Sequence, residues 1–471
     1  MKNKFNQISS KEWLPYQKSW YLYKDEEKLV KDTVRFFTDY TLKSVVGYIG
    51  DKYEEFKELC TNEMLESVEI EGETHVSLQF LYVDIRNELK QTESIEEYLE
   101  LESRILNKIE AVKDNLIDKR FLCVLALNKH IGNKYLPLAW QIGKAISSVL
   151  LLKDEKIICR GENVDGGIFT PTGSYEYQLF FRRDDSIPLR KENVNFLGNG
   201  DEKESVYIQN EIGLPSWYIL KPQSRSKLEV LHPAKYPESL AEMYIKKFTR
   251  EDDYVLDPMS GTGSSQLAAL KNKRNGIGTE LSEFFCGIAN KRCTTYLNPP
   301  KTLFDDEIMT NTCEILNMDA RKIDSTVFSQ IDYLVTSPPY WDMLNMKGAE
   351  NQAKRVERGL QTNYSESDKD MGNITDYDQF IEELSDIYIN ISKGMENGSY
   401  MTIVVKNIKK KGLNYPLAWD LSEKLTNKGL VLVKETFWCQ DDLNLAPYGY
   451  GNTWVSNTFH QYCLSYQVSV K

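Results

Sequence analysis

The stretch DPMSGTG, from Asp257 to Gly263, places an acidic residue and glycines between an apolar strand pattern and a helix pattern. Glycines at such a turn permit a tight bend and let a ligand approach the backbone, and the first N–H groups of the helix face that ligand. Glu280 closes the next strand pattern, 17 positions after Gly263, where a carboxylate can accept both hydroxyls of a ribose. A third acid, Asp319 in NMDA, precedes the following strand pattern. Together these residues predict a ribose-containing ligand at one edge of a sheet.

A second group of residues, DYLVTSPPYW from Asp332 to Trp341, ends an apolar run with serine, two prolines and tyrosine. Proline fixes its own φ and cannot donate to a strand ladder, so Pro338 and Pro339 end the strand. The sequence therefore predicts a stiff turn that presents Ser337 and Tyr340 at the end of a strand.

Strand and helix patterns alternate regularly from Tyr244 onward, which predicts an α/β fold with a parallel, doubly wound sheet. The predicted strands are YVLDP, NGIGTEL, DYLVTSPPY and SYMTIVV, and the predicted helices are SSQLAALKNK, FFCGIANKRCTTYL, ITDYDQFIEELSDIYINISKGM and YPLAWDLSEKLTNKG. The last two strand patterns, LVLVKETFWC and HQYCLSYQV, predict an antiparallel C-terminal hairpin at the edge of the sheet.

The chain also contains an internal repeat. PLAW occurs at 137–140 and at 416–419, each time after a strand pattern and before a helix pattern. Three further pairs match in order: FLCVLALN with YMTIVVKN, LLLKDEKIICR with LVLVKETFWCQ, and YEYQLFFR with HQYCLSYQ. Residues 1–228 are therefore predicted as a degenerate partial copy of the fold of residues 229–471.

Two segments of the first copy receive specific interpretations. SSKEWLPYQKSW, Ser9 to Trp20, is interpreted as the counterpart of TSPPYW, with only Pro15 and Tyr16 retained. The acidic stretch of about 45–115 is interpreted as a helical insertion that serves target recognition or a dimer contact.

Taken together, HPAKYPESL, DPMSGTG, Glu280, NMDA and TSPPY resemble the amino-methyltransferases of DNA. The resemblance covers about Leu228 to Lys471 and implies a Rossmann-like methyltransferase domain. It implies S-adenosylmethionine as the methyl donor and double-stranded DNA as the partner, with transfer to the exocyclic nitrogen of a cytosine or an adenine that is flipped out of the duplex.

The resemblance also implies roles for single residues. In the catalytic turn, the Ser337 side chain and the Pro338 carbonyl would accept hydrogen bonds from the target amine, Pro339 would keep the turn rigid, and Tyr340 would stack on the base. Glu280 would hold the ribose of the cofactor, Asp319 would meet its adenine, and Lys235 would close over its methionine end. The methionine moiety would run along Asp257, Pro258, Met259, Ser260, Gly261 and Gly263, where Met259 replaces a commoner phenylalanine.

Serine at position 337 favours cytosine N4 as the methylated atom, because adenine-specific members more often carry aspartate or asparagine there. Adenine N6, an RNA substrate, and a noncatalytic subunit that binds the cofactor or DNA stay open as alternatives. The setting that the resemblance implies is restriction-modification or a related defence system, which leaves open a homodimer and a cognate restriction endonuclease. The polar loop Asn345 to Ile374, with Lys354, Arg355 and Arg358, is a second candidate for DNA contacts.

Composition limits the other function classes. The net charge of −12 argues against a protein that coats nucleic acid nonspecifically, although a local basic groove such as Lys406 to Lys411 is compatible with it. Eight scattered cysteines without a C-x-x-C pair, and only four histidines, predict reduced thiols and no metal site. No signal-peptide pattern and no apolar run of about 18 residues is found, so a cytoplasmic location without membrane contact is expected.

Overall fold

The computed structural model describes residues 5–161, 173–190, 213–220, 236–299, 310–324, 326–341, 370–410, 412–441 and 456–469. The strands of the first half are β1 (Trp20–Leu22), β2 (Val45–Gly50), β3 (Ser67–Glu69), β4 (Leu78–Asp84), β5 (Leu116–Ala126), β6 (Lys129–Ile131), β7 (Lys134–Leu136), β8 (Leu151–Cys159) and β9 (Tyr175–Arg182). Its helices are α1 (Ser10–Trp13), α2 (Glu26–Phe37), α3 (Tyr53–Asn62), α4 (Arg86–Gln91), α5 (Ile95–Val112) and α6 (Leu138–Ser147).

The strands of the second half are β10 (Trp217–Ile219), β11 (Tyr254–Asp257), β12 (Asn275–Glu280), β13 (Cys313–Asn317), β14 (Tyr333–Thr336), β15 (Tyr400–Val405), β16 (Ile408–Lys410), β17 (Leu413–Tyr415), β18 (Val431–Cys439) and β19 (His460–Gln467). Its helices are α7 (Glu238–Phe248), α8 (Ser264–Lys271), α9 (Glu283–Leu297), α10 (Tyr377–Ser392) and α11 (Leu417–Asn427).

Each half builds one large sheet. The first sheet has the order β1-β8-β9-β5-β4-β2-β3, and the second has the order β10-β18-β19-β15-β14-β11-β12-β13. In each sheet a single strand, β9 or β19, is antiparallel to both neighbours, and the other pairs are parallel. The predicted α/β class with a doubly wound sheet is confirmed.

The predicted hairpin of β18 and β19 forms, but it does not lie at the edge of the sheet. Trp217–Ile219 pairs in parallel with Phe437–Cys439, so β10 covers the outer side of β18. This strand precedes the predicted boundary at 228/229, yet it belongs to the second sheet. The sequence did not predict β10, because the short run WYI is not flanked by alternating apolar and polar residues. Its partner strand also lies more than 200 residues away in the chain.

The interpretation of about 45–115 as a helical insertion is corrected by the sheet topology. This segment contains helices α3, α4 and α5, but it also supplies β2, β3 and β4 to the first sheet. The acidic side chains of its helices dominate the composition, and the buried strands between them are short. The segment is thus part of the repeated fold.

The position of the TSPPYW counterpart was also wrong. The strand orders make β4 the counterpart of β14, and β1 the counterpart of β10. Ser9 to Trp20 leads into β1, so it corresponds to the segment before β10, where SWYI (216–219) matches SWYL (19–22). The residues that take the place of the Ser-Pro-Pro-Tyr turn begin at Asp84, the last residue of β4.

The two halves share one hydrophobic core. Leu122, Val124 and Ala126 of β5 enter the same buried cluster as Met401, Ile403 and Val405 of β15. Helices α5, α6, α10 and α11 contribute to this cluster as well, so they lie between the two sheets. The opposite face of the first sheet packs against α2 and α3, and that of the second against α7 and α8.

Equivalent residues of the two copies meet across this core. The rings of Trp140 and Trp419 stack with centroids 6.3 Å apart. Trp140 Nε1 donates to Tyr177 Oη at 2.8 Å, and Trp419 Nε1 donates to Tyr462 Oη at 3.0 Å. Each tyrosine then donates to a buried carboxylate of the other half, as shown below.

The first buried carboxylate, Glu435, is fully shielded from solvent. It accepts hydrogen bonds from Tyr177 at 2.7 Å, Asn128 at 2.6 Å and Tyr135 at 2.5 Å, and also from Tyr175. Burial raises the pKa of Glu435, and the hydrogen bonds from the tyrosines and the asparagine oppose that rise.

Glu155 is the counterpart of Glu435 in the first half. It accepts from Tyr462 at 2.6 Å and from Asn407 at 2.7 Å, both residues of the second half. The two halves are therefore joined by a pseudo-twofold arrangement of buried polar contacts. Close to its centre, Cys159 Sγ and Cys439 Sγ lie 4.0 Å apart as free thiols.

Among the helices described above, none combines the length and the apolar character needed to cross a membrane.

Candidate active site

The candidate site lies at the carboxyl ends of the parallel strands of the second sheet. From β11 the chain proceeds to β12 and β13 on one side, and β14 and β15 lie on the other side. Ligands of open α/β sheets bind at such a point, where the strand order reverses. The glycine turn follows β11 and the Ser-Pro-Pro-Tyr turn follows β14, so adjacent strands bring together two motifs that are about 75 residues apart in the sequence.

Asp257 organises the glycine turn from inside. Its carboxylate is 1% exposed and accepts from Met259 N at 3.0 Å, Thr336 Oγ1 at 2.7 Å and Tyr236 Oη at 3.4 Å, as well as from Ser265 Oγ. Burial raises the pKa of Asp257, while the hydrogen bonds from Ser265 and Thr336 lower it. The bond to Thr336 connects the glycine turn directly to the end of β14.

Glycines allow the turn to lie flat on β12. A Cβ at Gly278 would be 2.3 Å from Ser260 Oγ and 2.5 Å from the Asp257 carbonyl, so only glycine permits this approach. Gly263 has φ of 76°, a conformation that favours glycine, and precedes α8. Ser260 N bonds to the Thr279 carbonyl at 2.9 Å, which fixes the turn against the neighbouring strand.

The turn also contains polar atoms that no described residue satisfies. Thr262 Oγ1 and Gln266 Oε1 are buried and have no hydrogen-bond partner among the described residues. Buried polar atoms normally find a partner, so these two fit a turn that receives a polar ligand.

Glu280 ends β12 beside the glycine turn. Its two oxygens accept from Gly261 N and from Ser282 N, each at 2.8 Å. Burial raises the pKa of Glu280 to about 7, the two backbone N–H groups lower it, and the charges of Asp257 and Asp370 raise it further. A carboxylate oxygen can accept more than one hydrogen bond, so both oxygens keep capacity for ribose hydroxyls.

Asp319 follows β13, the strand next to β12, so it lies close to the end of β12. Arg321 binds its carboxylate with two side-chain nitrogens, Nε at 3.0 Å from Oδ1 and Nη2 at 2.8 Å from Oδ2. Burial pushes the pKa of Asp319 upward, but the hydrogen bonds and the charge of Arg321 hold it below its ordinary value. Asp319 is therefore an ionised, oriented carboxylate.

The Ser-Pro-Pro-Tyr turn presents one partly exposed hydroxyl and one buried ring. Ser337 is partly exposed, whereas Tyr340 is 7% exposed. Tyr340 Oη donates to Gln461 Oε1 of β19 at 2.8 Å. Burial raises the pKa of Tyr340 to about 12, which keeps the phenol neutral, and hydrogen bonding with Ser337 opposes that rise.

The basic cluster of 406–411 borders this turn. Lys406 Nζ lies 5.0 Å from the centroid of the Tyr340 ring, and Lys410 Nζ lies 4.0 Å from that of Trp341. Lys409 forms an ion pair with Asp154 of the first half at 2.5 Å. Lys406, Lys409 and Lys410 thus pack on the Ser-Pro-Pro-Tyr turn and the neighbouring half, which the sequence alone did not indicate.

The first half lacks this arrangement. Val124 and Ile403 occupy matching positions of the repeat. Val83 pairs with Val124 and Thr336 pairs with Ile403, so the next residues, Asp84 and Ser337, also match. Arg86 binds Asp84 with Nε at 2.8 Å and Nη2 at 2.6 Å. Arg86 thus holds Asp84 in an ion pair, and none of residues 85–91 after β4 is a proline.

Two groups of predicted residues lie outside the described part of the chain. They are Lys235, and Lys354, Arg355 and Arg358 of the polar loop. The other predicted site residues converge on the carboxyl edge of the second sheet.

A model of the DNA methylase family matches residues 53–291, about half of the chain. The chain belongs to the DNA methylase family. The matched segment begins in α3 of the first half and ends in α9, so it includes the glycine turn and Glu280 and stops before Ser337. Membership in this family implies S-adenosylmethionine as the cofactor of this chain.

Individual relatives match shorter segments. The methylase is 40% identical over 84 residues to an orphan methyltransferase, M.BamHII of Bacillus amyloliquefaciens, which is 17% of this chain and 32% of that protein. It is 28% identical over 180 residues to the type II beta methyltransferase M.BslI of a Bacillus strain, 36% of this chain and 19% of that protein. The chain therefore spans about a third or less of the length of these relatives.

Among solved structures, a putative rRNA-methylase from Clostridium thermocellum aligns with 50% of this chain and 99% of its own, at 13% identity and a TM-score of 0.30.

Sequence reasoning missed several residues that shape this site. Thr336 and Tyr236 lie inside motifs already recognised, TSPPYW and HPAKYPESL, and their hydroxyls bond to the buried Asp257. Lys406 directly follows β15 and Gln461 lies on β19, and their contacts with Tyr340 depend on strand pairing across the sheet. The basic run from Lys406 was visible in the sequence, but no local pattern places Lys406 or Gln461 beside Tyr340.

Proposed function

We propose that this chain transfers a methyl group to the exocyclic N4 of a cytosine flipped out of double-stranded DNA. The observation that carries the proposal is the junction of the two turns. The Asp257 to Thr336 hydrogen bond of 2.7 Å fixes the glycine turn beside the partly exposed Ser337. A cofactor held by one turn and an amine held by the other would then meet at the edge of adjacent strands.

The cofactor assignment follows from the shape of the first turn. S-adenosylmethionine supplies an electrophilic methyl group when it is bound. Glu280 would accept the ribose hydroxyls, and Asp319 would accept from the adenine amino group. The methionine moiety would lie along the backbone of the turn, built by Asp257, Pro258, Met259, Ser260, Gly261 and Gly263. Asp257 would act there through the turn that it organises, since its carboxylate is buried.

The second turn would activate the amine. An exocyclic amine conjugated to its ring is a poor nucleophile, so hydrogen-bond acceptors must draw electron density onto the nitrogen. Ser337 Oγ and the Pro338 carbonyl are the proposed acceptors. Pro339 would keep their positions fixed, which preorganises them for attack on the methyl group.

Tyr340 would provide the surface on which the flipped base stacks. Its ring is nearly immobile, because its hydroxyl is bonded to Gln461 and Lys406 lies over the ring. Burial lowers the pKa of Lys406 to about 8, so at neutral pH this residue is mostly a cation beside the ring. Because Lys406 lies against one face of the ring, the base would stack on the opposite face.

The proposed biological setting is a restriction-modification system, and the relatives M.BslI and M.BglI, which are named type II methyltransferases, support it. A homodimer and a cognate endonuclease are parts of the same proposal. Adenine N6 is the alternative target, because the two acceptors of the turn would serve either amine.

A nucleoside analysis tests this function directly. Unmethylated plasmid and genomic DNA are incubated with the purified chain and S-adenosylmethionine, digested and analysed by mass spectrometry. We expect N4-methylcytosine with the wild type and none above background with Ser337→Ala. N6-methyladenine would keep the mechanism and overturn the base assignment, and the absence of any methylated base in DNA would overturn the proposal.

The Glu280 carboxyl makes cofactor binding pH-dependent. Its raised pKa of about 7 means that it is largely protonated at pH 6 and largely ionised at pH 8. The ionised form accepts both ribose hydroxyls, so affinity should increase with pH. We expect the Kd for S-adenosylhomocysteine to fall about tenfold from pH 6 to pH 8, because the ionised fraction of a carboxyl with a pKa of about 7 rises about tenfold over this range. Isothermal titration calorimetry at several pH values measures this change.

The matched control is Glu280→Gln, which keeps the size of the side chain but cannot ionise in this range. We expect weaker binding whose remaining pH dependence reflects the ligand alone. Equal pH profiles of the variant and the wild type would show that Glu280 does not hold the ribose in its ionised form.

A further inference from the structure

Gln461 is the residue that fixes the hydroxyl of Tyr340. It lies on β19 opposite Trp438, is partly buried, and is far from the catalytic turn in the sequence. Its Oε1 accepts the Tyr340 Oη proton at 2.8 Å. A phenol has one proton to donate, so this bond determines the direction of every other hydrogen bond at Tyr340.

The direction of these bonds decides what Ser337 can do. With its proton committed to Gln461, the Tyr340 oxygen can only accept from a neighbour. The side chains of Ser337 and Tyr340 are hydrogen-bonded to each other, so Ser337 is the neighbour that donates its proton to Tyr340. Its lone pairs then remain available to accept from a substrate amine, whereas the opposite direction would turn the Ser337 proton toward that amine.

The repeated fold places a holding residue at the same position in the first half. Glu176 is opposite Ile158 on β9, as Gln461 is opposite Trp438 on β19. Glu176 Oε2 accepts from Arg86 Nη1 at 2.7 Å, and Arg86 is the first residue of α4, two positions after the end of β4. In both halves, then, the second residue of the hairpin strand binds the segment that follows β4 or β14.

We propose that Gln461 is a positioning residue for methyl transfer, which acts by directing the Tyr340 and Ser337 hydroxyls so that Ser337 accepts from the target amine. This role rests on the function proposed above. It adds a residue from β19, outside the motifs that carry the family resemblance. Its loss should affect the transfer step and leave cofactor binding unchanged.

Steady-state kinetics on a methylatable DNA, with calorimetry for cofactor binding, tests this role. We expect Gln461→Leu to lower kcat about 10- to 100-fold, the scale of loss from a misoriented reacting group, with unchanged KM for S-adenosylmethionine. Gln461→Glu retains an acceptor oxygen and should restore most of kcat. Gln467→Leu, on the same strand but away from the turn, is the control for strand integrity and should keep the wild-type kcat.

A double-mutant comparison separates orientation from simple packing. In Tyr340→Phe the hydroxyl is absent, so adding Gln461→Leu should cause no further loss of kcat. A wild-type kcat in Gln461→Leu, or an equal loss in the Tyr340→Phe background, would overturn the role of Gln461 while the function stands. A wild-type chain that methylates no base would overturn the proposed function and this role together.

Discussion

Alanine at position 337 is expected to lower kcat for methyl transfer by about 100- to 1000-fold, the loss that follows removal of one preorganised polar group from a catalytic site. The hydroxyl of Ser337 is the proposed acceptor for one hydrogen of the amine. Its removal leaves the Pro338 carbonyl alone to activate the nitrogen. Radiolabelled methyl transfer under single-turnover conditions measures the chemical step without interference from product release.

Two further measurements make this prediction specific. Ser337 is partly exposed and lies on the Ser-Pro-Pro-Tyr turn, not on the glycine turn. The Kd for S-adenosylhomocysteine and the thermal midpoint of unfolding should therefore stay at the wild-type values. Ser329→Ala, at an exposed position before β14, is the matched control and should have the wild-type rate. Retention of full single-turnover activity in Ser337→Ala would exclude Ser337 as an acceptor.

The second large effect is expected at the junction of the halves. Glu435→Ala should lower the free energy of unfolding by about 3–5 kcal/mol, the cost typical of removing one partner from a buried polar cluster. Asn128, Tyr135, Tyr175 and Tyr177 would lose their common acceptor, which is fully buried. Each buried donor left unpaired contributes to the loss. Urea unfolding followed by tryptophan fluorescence and circular dichroism measures it.

The controls for this change use the same residue type. Glu396→Ala, at an exposed position of the second half, should stay within about 0.5 kcal/mol of the wild type. Glu435→Gln retains one acceptor oxygen, so its free energy of unfolding should lie between those of Glu435→Ala and Glu396→Ala. If Glu435→Ala had the same urea midpoint as the wild type, the buried polar cluster would not stabilise the contact between the two halves.

Local turn chemistry made much of the site predictable. Glycines in DPMSGTG and prolines in SPPY restrict the backbone within a few residues, so their turns could be placed at strand ends without knowledge of the fold. Apolar periodicity likewise predicted β14, β15, α10 and α11. The PLAW repeat pointed to two copies of one fold, and the matching strand orders agree with it.

Pairing over long sequence distances limited the prediction elsewhere. Pro15 and Tyr16 resembled part of the catalytic turn, but sheet order, which no short motif encodes, assigns that place to the segment after β4. The strands β2, β3 and β4 were obscured by acidic helices around them. Gln461 reaches Tyr340 only because β19 inserts between β15 and β18, so their contact follows from the whole sheet.

The pseudo-twofold junction has a further consequence in mass-action terms. If the two halves were separate subunits held together by contacts such as those of Glu155 and Glu435, they would dissociate on dilution. As halves of one polypeptide they stay at a fixed effective concentration. In a homodimer a substitution also changes both subunits, whereas in this chain it changes only one half. The half that carries Asp84 and Arg86 can therefore change at these positions while the half that carries Ser337 keeps its own turn.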